Sequence, residues 1–407
     1  MVQAVEKSLA TTRVKKRHTL MRVARNEQQF LIFIGLAFFA AGALSPIPQY
    51  AAWLGFVLAA YSAIANDSIQ TLGTFLASNK QRPWWLLWMF IGGVFLATVS
   101  YSWVVNAGDV SYGRLQSRGF AEAPTSFTFL QVAAPIFLLI LTRLRMPVST
   151  TFLLLSSFSS EAGAIQDMLV KSLSGYGAAF GAGLVVWLLV SRFLQRRIMA
   201  GPARTWWYPL QWLTTAGLWS VWLQQDAANI AVFLPRSLSA AEFLGFAGFI
   251  FLGLGILFYL RGDKIQRVVD EKSSVVDVRA ATLVDFLYAL LLYQFKVVSP
   301  IPMSTTWVFI GLLAGRELGM ALTGTASGSL ANSLRLAGRD VLYAGIGLIV
   351  SVALAFAVNP NLIDLGSAAE AASPTPDAGD GTTASSPGAD PGAVALPVPP
   401  EVVRPAP

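Results

Sequence analysis

Cysteine is absent from the 407 residues, and the one histidine, His18, lies in a basic stretch near the start of the sequence. The absence of cysteine excludes disulfides, thiol catalysis and Cys-ligated metals. Because this single histidine lies in the basic tail, neither a His-based catalytic triad nor a multi-His metal site can be built. We therefore expect that the protein is not an enzyme, has no catalytic residues and needs no cofactor.

Charge is also scarce. Only 13% of the residues are charged and 55% are hydrophobic, whereas roughly 25% of an average soluble domain is charged. Several uncharged apolar runs approach the ~20 residues that cross a bilayer core. Because only helices satisfy their own backbone hydrogen bonds there, the sequence predicts an all-α, polytopic transmembrane helical bundle.

The net charge of +7 is concentrated at one end, since seven basic residues lie among the first 27. We interpret residues 1–27 as a basic segment that stays in the cytoplasm and contacts membrane lipid, rather than as a nucleic-acid-binding arm. Residues 28–48 are predicted to form an extra transmembrane helix. Two transmembrane repeats are predicted at 49–200 and 201–360, followed at 361–407 by a disordered tail rich in proline and alanine.

The two predicted repeats are recognised from polar motifs that interrupt the apolar runs. Asp67 and Asp226 are each preceded by an amide residue and followed by another amide three positions later. The runs Pro147-Val148-Ser149-Thr150-Thr151 and Pro302-Met303-Ser304-Thr305-Thr306 form the second pair. The separations are similar: 147 − 67 = 80 residues in one half and 302 − 226 = 76 in the other. Matching polar interruptions in two halves are typical of a transporter site at the repeat interface.

The first motif carries a carboxylate in an apolar setting, which costs at least ~2.5 kcal/mol unless a cation, a proton or a polar cavity compensates it. Carboxylate and amide oxygens, with carbonyls of an unwound helix, would make an oxygen-only shell suited to Na⁺, and a proton is equally compatible. No other metal is expected. The predicted coupling-ion residues are Asn66, Asp67, Gln70, Gln225, Asp226 and Asn229.

The second motif is typical of a helix start, where proline suits the first turn and hydroxyl groups cap free N–H groups. Such a start also binds anions, because the N–H groups and the helix dipole favour negative charge. Two starts brought together would surround a tetrahedral anion. The predicted substrate-binding residues are Asp67, Ser149, Thr150, Thr151, Asp226, Ser304, Thr305 and Thr306.

Together the paired motifs resemble the inorganic phosphate transporter (PiT) family, which includes sulfate-transporting relatives, over roughly Tyr50 to Val358. The resemblance implies two inverted structural repeats with broken or re-entrant helices, binding of phosphate and Na⁺ by the residues named above, and a possible homodimer. The chain departs from the family pattern: Gln replaces one Asn in each first motif, and Phe152 and Trp307 follow the Ser-Thr-Thr runs where His is common. It is identified as a divergent member.

A nucleotide-binding Gly-x-x-x-x-Gly-Lys-Ser/Thr signal is missing, so we expect secondary active, cation-coupled symport of phosphate across a bacterial inner (plasma) membrane. A permease for sulfate or another oxyanion is one alternative, and a non-transporting membrane scaffold or sensor is another. Two charged residues also occupy equivalent repeat positions, because 161 − 149 = 12 and 316 − 304 = 12. An ion pair between Glu161 and Arg316 is therefore one hypothesis for contact between the halves.

Overall fold

Helices dominate the computed structural model, which describes residues 27–117, 119–144, 146, 148–193, 201–260, 277–325 and 330–360, without the side chains of residues 68–70, 192, 332, 333 and 336. The predicted basic N-terminal segment lies outside the described residues, apart from Glu27. The predicted tail from residue 361 onward also lies outside them.

Ten α-helices occur among the described residues, and no β-strand occurs among them. They are α1 (Gln28–Leu44), α2 (Pro48–Ser78), α3 (Trp84–Val105), α4 (Phe129–Arg143), α5 (Ala162–Phe193), α6 (Trp207–Ala231), α7 (Ala240–Tyr259), α8 (Val278–Val298), α9 (Thr305–Leu322) and α10 (Leu330–Val358). A short broken helix, with a π-helical turn at Thr151–Leu155 and a 3-10 turn at Ser156–Phe158, precedes α5. The prediction of an all-α fold is confirmed.

Five helices are long and apolar enough to cross a membrane, namely α3, α5, α7, α8 and α10. Their outward faces carry large apolar side chains, such as Leu189 at 74% exposure and Leu244 at 71%. Extended apolar surface of this kind is unfavourable in water and favourable against lipid. The prediction of an integral membrane protein is therefore confirmed. Helices α2 and α6 carry the first polar motif of each half.

Local sequence accounts for several helix starts. Pro48 occupies the first turn of α2, where its missing N–H costs nothing. Thr128 and Ser239 form capping boxes with Gln131 and Glu242 at the starts of α4 and α7. Ser304 caps α9 by accepting from the backbone N–H of Trp307. The second Ser-Thr-Thr run therefore begins a helix, as predicted.

The order of elements in the first half recurs in the second. Helices α2 to α5, with the short broken helix before α5, correspond in order to α6 to α10. Packing follows the same correspondence: α2 packs on α4 as α6 packs on α8, and α5 packs on α9 as α10 packs on the short broken helix. Contacts of α2 with α6 and of α3 with α7 join the halves. The inverted orientation of one half relative to the other remains a prediction.

Glycine allows a close crossing of α5 and α9. Gly311, Gly315 and Gly319 recur at every fourth position of α9 and face the backbone of α5. A Cβ atom on Gly315 would meet the carbonyl oxygen of Phe180, and one on Gly311 would meet that of Tyr176. Small residues at this spacing let membrane helices approach closely enough for backbone contact. This crossing fixes α9, and with it the second Ser-Thr-Thr run.

Candidate functional site

Both copies of the first motif lie on long helices that cross near one another. Asp67 lies within α2 and Asp226 lies in the last two turns of α6, and each is only 1% exposed. The two carboxylates are close enough to repel each other electrostatically. Both helices continue through the motifs. The expected contribution of carbonyls from an unwound helix is therefore wrong, because the helical hydrogen bonds already use those carbonyls.

In the first half, Asn66 links its own helix to the second motif. Its amide nitrogen donates to Asp67 Oδ1 at 2.8 Å and to the backbone carbonyl of Val148 at 3.1 Å. Its amide oxygen accepts from the hydroxyl of Thr142 on α4 at 3.2 Å. Each polar atom of the Asn66 side chain therefore has a partner, and the side chain positions Asp67 rather than offering a free oxygen.

In the second half, Asn229 makes the contacts that link the two motifs. Its amide nitrogen donates to Asp226 Oδ1 at 2.5 Å and contacts the hydroxyls of Thr150 and Thr151 at 3.1 and 3.2 Å. Gln225 donates to the carbonyl of Leu292 on α8 at 3.0 Å. Asn229 therefore joins the first motif of one half to the second motif of the other. The side chain of Gln70, which corresponds to Asn229, lies outside the described residues.

The serines of the two Ser-Thr-Thr runs act as caps. Ser149 Oγ accepts from the backbone N–H of Phe152 at 3.2 Å, and Ser304 Oγ accepts from that of Trp307 at 3.3 Å. The aromatic side chains of these two donors lie against each other, with ring centroids 6.1 Å apart. The two runs thus meet at equivalent positions. Pro147, at the start of the first run, lies outside the described residues.

The threonines of the two runs reach across the interface and toward the carboxylates. Thr151 Oγ1 donates to the carbonyl of Met303 at 3.0 Å and also contacts Asp226 Oδ1 at 3.3 Å. Thr306 Oγ1 donates to the carbonyl of Val148 at 3.4 Å. Side-chain hydrogen bonds also join Thr150 to Asp67 and Thr305 to Asp226. All eight predicted substrate-binding residues are buried in this one cluster, hereafter the central site, which also includes Asn66, Gln225 and Asn229.

Four buried oxygens of the central site accept no hydrogen bond from any described residue. They are Asp67 Oδ2, Gln225 Oε1, Asp226 Oδ2 and Asn229 Oδ1. Each is an acceptor, and burying an acceptor without a partner costs roughly 1–3 kcal/mol, more when it is charged. Groups of three His, Cys, Asp or Glu that could hold a metal are not found among the described residues. The chemistry present is therefore two carboxylates with amide and hydroxyl oxygens, which suits a hard monovalent cation or protons.

Sequence reasoning passed over one further buried carboxylate, Asp285 on α8, which is 1% exposed. Thr74 on α2 donates to Asp285 Oδ1 at 2.7 Å, and Thr215 on α6 donates to Oδ2 at 2.6 Å. One carboxylate thus joins the two motif-bearing helices to a third. The sequence signal for Asp285 was an acidic residue inside an apolar run. Asp285 lies 17 residues before the proline of the second motif, and the residue at that position in the first half is Leu130, so the acidic residue is not repeated.

Arg316 does not have the partner that its repeat position predicts. Its Nη1 atom forms an ion pair with Glu317 Oε1 at 2.6 Å, and its guanidinium lies 5.7 Å from the ring centroid of Trp187. The hypothesis of an ion pair between Glu161 and Arg316 is therefore wrong. Glu317, a neighbour on the same helix, pairs with the Arg316 guanidinium at a smaller cost in side-chain conformational entropy than a residue from the other half would.

No protein-family model matches this sequence, and no curated protein matches it. Among solved structures, one named "The sodium-dependent phosphate transporter" is similar, with a TM-score of 0.47 and 17% sequence identity. The similarity covers 78% of this chain and 98% of that chain.

Proposed function

We propose that the protein is a cation-coupled secondary transporter of a small tetrahedral oxyanion, with inorganic phosphate as the substrate. The observation that carries the proposal is the convergence of both Asp residues and both Ser-Thr-Thr runs, from separate halves of the chain, in one buried cluster. A protein that only needed stable helices would gain little from burying two mutually repelling carboxylates. Sulfate is the alternative substrate that the experiment below distinguishes.

The Ser-Thr-Thr runs supply neutral donors for the anion. Ser304 begins α9, so the backbone N–H groups of the first turn and the positive end of the helix dipole lie at the central site. The Thr150, Thr151, Thr305 and Thr306 hydroxyls now bond protein acceptors, and they would exchange these for oxyanion oxygens. Hydroxyl groups rotate to suit either partner, so this exchange requires little movement of the backbone.

The two carboxylates make coupling necessary. An oxyanion beside Asp67 and Asp226 would place three negative groups together in a buried site, which is strongly unfavourable in a low dielectric. Cations or protons on the unpartnered carboxylate and amide oxygens would remove that repulsion. Anion and cation would therefore bind cooperatively, because each lowers the electrostatic cost of binding the other. This mutual dependence is the thermodynamic basis of symport.

The test is uptake of radiolabelled phosphate into proteoliposomes that contain the purified full chain, under an imposed Na⁺ gradient, an imposed proton gradient or neither. We expect accumulation driven by one of the gradients. Unlabelled sulfate is added as competitor, and inhibition stronger than that by unlabelled phosphate would reassign the substrate to sulfate. Gradient-independent flux would contradict coupling.

Variants connect the flux to the central site. Asp67→Asn and Asp226→Asn keep the side-chain size but remove the charge that recruits the cation, so we expect at least about a hundredfold loss of driven uptake, equivalent to ~2.7 kcal/mol. Glu122→Gln removes an exposed carboxylate that does not belong to the central site, and it serves as the matched control. Uptake by both Asp variants at the level of this control, with the same elution profile, would reject the proposed site.

A further inference from the structure

A tightly wound loop between α3 and α4 carries a buried arginine into the protein interior. Before Arg114, the loop contains four residues with left-handed backbone, Ala107 (φ 51°), Gly108 (φ 94°), Tyr112 (φ 56°) and Gly113 (φ 75°). Such φ values are unfavourable for Ala and Tyr, so surrounding contacts must hold them. Asp109 does so, because Oδ1 accepts from the Ser111 N–H at 2.6 Å and Oδ2 from the Gly113 N–H at 2.8 Å.

Arg114 follows directly after these turns and is 1% exposed. Its Nη1 atom donates to the carbonyls of Ser299 and Ile301 at 3.0 and 3.1 Å, and Nε donates to the carbonyl of Gln224 at 3.4 Å. Its Nη2 atom is buried and has no hydrogen-bond partner among the described residues. A guanidinium stays charged at neutral pH, so one side of this buried cation offers an unused donor.

Two lysines join Arg114. Lys171 Nζ donates to the same two carbonyls, of Ser299 at 2.7 Å and of Ile301 at 2.6 Å. Lys296 Nζ donates to the Gln224 amide oxygen and lies 5.1 Å from the ring centroid of Tyr112. Arg114 lies close enough to each lysine for electrostatic repulsion between them. The three residues form the cationic cluster.

Charge balance is missing within the cationic cluster. None of the three side chains forms an ion pair with an Asp or Glu of the described residues. Neutral hydroxyl or amide donors would satisfy the carbonyls of Ser299 and Ile301 equally well, so backbone capping does not account for three like charges. Buried charges are normally paired. Asp226 attracts Arg114 but makes no ion pair with it, so the cluster lacks a direct anionic partner.

The cationic cluster adjoins the central site. Arg114 interacts electrostatically with Asp226, and both Arg114 and Lys296 contact Gln224, two residues before Asp226. The carbonyls of Ser299 and Ile301 lie in the link that leads into Ser304, Thr305 and Thr306. An anion held by the cluster would thus be next to the donors of the second Ser-Thr-Thr run.

We propose that Arg114, Lys171 and Lys296 form an anion-binding subsite that receives a doubly charged tetrahedral oxyanion before it enters the central site. The subsite deepens the proposed function and rests on it. Arg114 supplies the donor that faces the anion, since a guanidinium binds oxyanion oxygens with charge-assisted hydrogen bonds. Three positive charges favour a dianion over a monoanion of similar size, because the attraction scales with ligand charge.

Equilibrium binding of radiolabelled phosphate to the purified full chain in detergent tests the subsite separately from transport. We expect Arg114→Gln to raise the Kd at least about tenfold, since it removes a charged hydrogen bond. Lys171→Gln and Lys296→Gln are expected to raise it by smaller factors. Lys296 is half-exposed, so its variant keeps the test open if Arg114→Gln fails to fold. Arg339→Gln removes a positive charge from the exposed side of α10 and is the matched control.

Competition by unlabelled anions tests the charge preference. At constant pH, we expect sulfate to displace phosphate far more effectively than nitrate. Equal displacement by nitrate, or no binding of either oxyanion at millimolar concentration, would overturn the proposal. Folded cluster variants with the wild-type Kd would also overturn it.

The two proposals fail in different ways. Phosphate binding that the cluster variants weaken, without uptake under any gradient, would support the subsite and reject symport. Driven uptake that Asp67→Asn abolishes, with an unchanged KM in all three cluster variants, would support symport and reject the subsite.

Discussion

Thr151 donates a hydrogen bond to the carbonyl of Met303 at 3.0 Å, and its counterpart Thr306 donates to the carbonyl of Val148, the counterpart of Met303, at 3.4 Å. The same contact is thus made twice with the halves exchanged, which is what a two-fold relation between the runs requires. Each Ser-Thr-Thr run is held by the backbone of the other, so movement of one run disturbs both.

The two threonines differ in what else they touch, and this difference is testable. Thr151 also contacts Asp226 and Asn229, whereas the Thr306 hydroxyl bonds only the Val148 carbonyl among the described residues. We expect Thr151→Val to lower the rate of phosphate uptake about tenfold more than Thr306→Val. Each variant should cost about 1 kcal/mol of stability through the lost bond. Initial uptake rates and thermal midpoints in detergent provide the comparison, and equal rates would indicate a purely structural role for both.

Asn229 gives a direct test of the cation site. Asn229→Leu removes the unpartnered Oδ1 and the donor to Asp226 while keeping a similar volume. We expect the half-saturating concentration of the coupling cation to rise about tenfold, because one oxygen ligand is lost. Phosphate KM at saturating cation should change little. Asn106→Leu, at the end of α3, is the control, and a cation dependence identical to this control would exclude Asn229 as a ligand.

Asp285 is expected to contribute to stability by joining three helices. Asp285→Asn leaves one acceptor oxygen for the two hydroxyls of Thr74 and Thr215, so we expect a loss of about 1–3 kcal/mol. In a double-mutant cycle with Thr74→Val, the stability lost in the double variant should be smaller than the sum of the losses in the two single variants, because both changes remove the same contact. Unfolding in mixed micelles measures the cycle. Additive losses would show that the hydroxyl and the carboxylate act independently.

Sequence reasoning located the central site but not the whole of its surroundings. Asp67 and Asp226 were found because a polar motif in an apolar run is costly and because each motif recurs at a similar spacing. Asp285 has no counterpart in the other half, so it lacked that second signal. Arg114 lies in a polar connection between helices, where a basic residue ordinarily meets solvent. The turns around Asp109 direct it inside, where the carbonyls that accept from it, those of Ser299 and Ile301, are distant in sequence.

Helix continuity at the first motif was predicted wrongly. The coupling-ion shell was expected to include carbonyls of an unwound helix, yet α2 continues through Asn66 and Asp67 to Ser78. Their side chains find partners in Val148, Thr142 and one another, so the backbone hydrogen bonds need not break. The break occurs instead at the first Ser-Thr-Thr run, where the short broken helix precedes α5.

The crossing of α5 and α9 predicts a strong dependence on glycine. Gly315→Ala places a methyl group against the Phe180 carbonyl, and backbone cannot yield as a flexible side chain can. We expect a marked drop in thermal midpoint and in the yield of monodisperse protein. Gly177→Ala on α5, where a Cβ would meet open space, should be neutral or slightly stabilising because alanine favours helix. Similar midpoints for both variants would show that the helices are less closely packed.

Variants of Asp109 distinguish a positioning effect on phosphate binding from a direct electrostatic effect. Asp109→Ala leaves the N–H groups of Ser111 and Gly113 without their acceptor, so the turns that bring Arg114 inside should loosen. Positioning therefore predicts weaker phosphate binding, by several-fold or more. Loss of a negative charge alone predicts the opposite, since an anion would be repelled less. The direction of the change in Kd decides between them, and Asp109→Asn, which keeps one acceptor oxygen, should fall between the wild type and Asp109→Ala. Tighter binding by Asp109→Ala would mean that Arg114 keeps its place without the Asp109 turns.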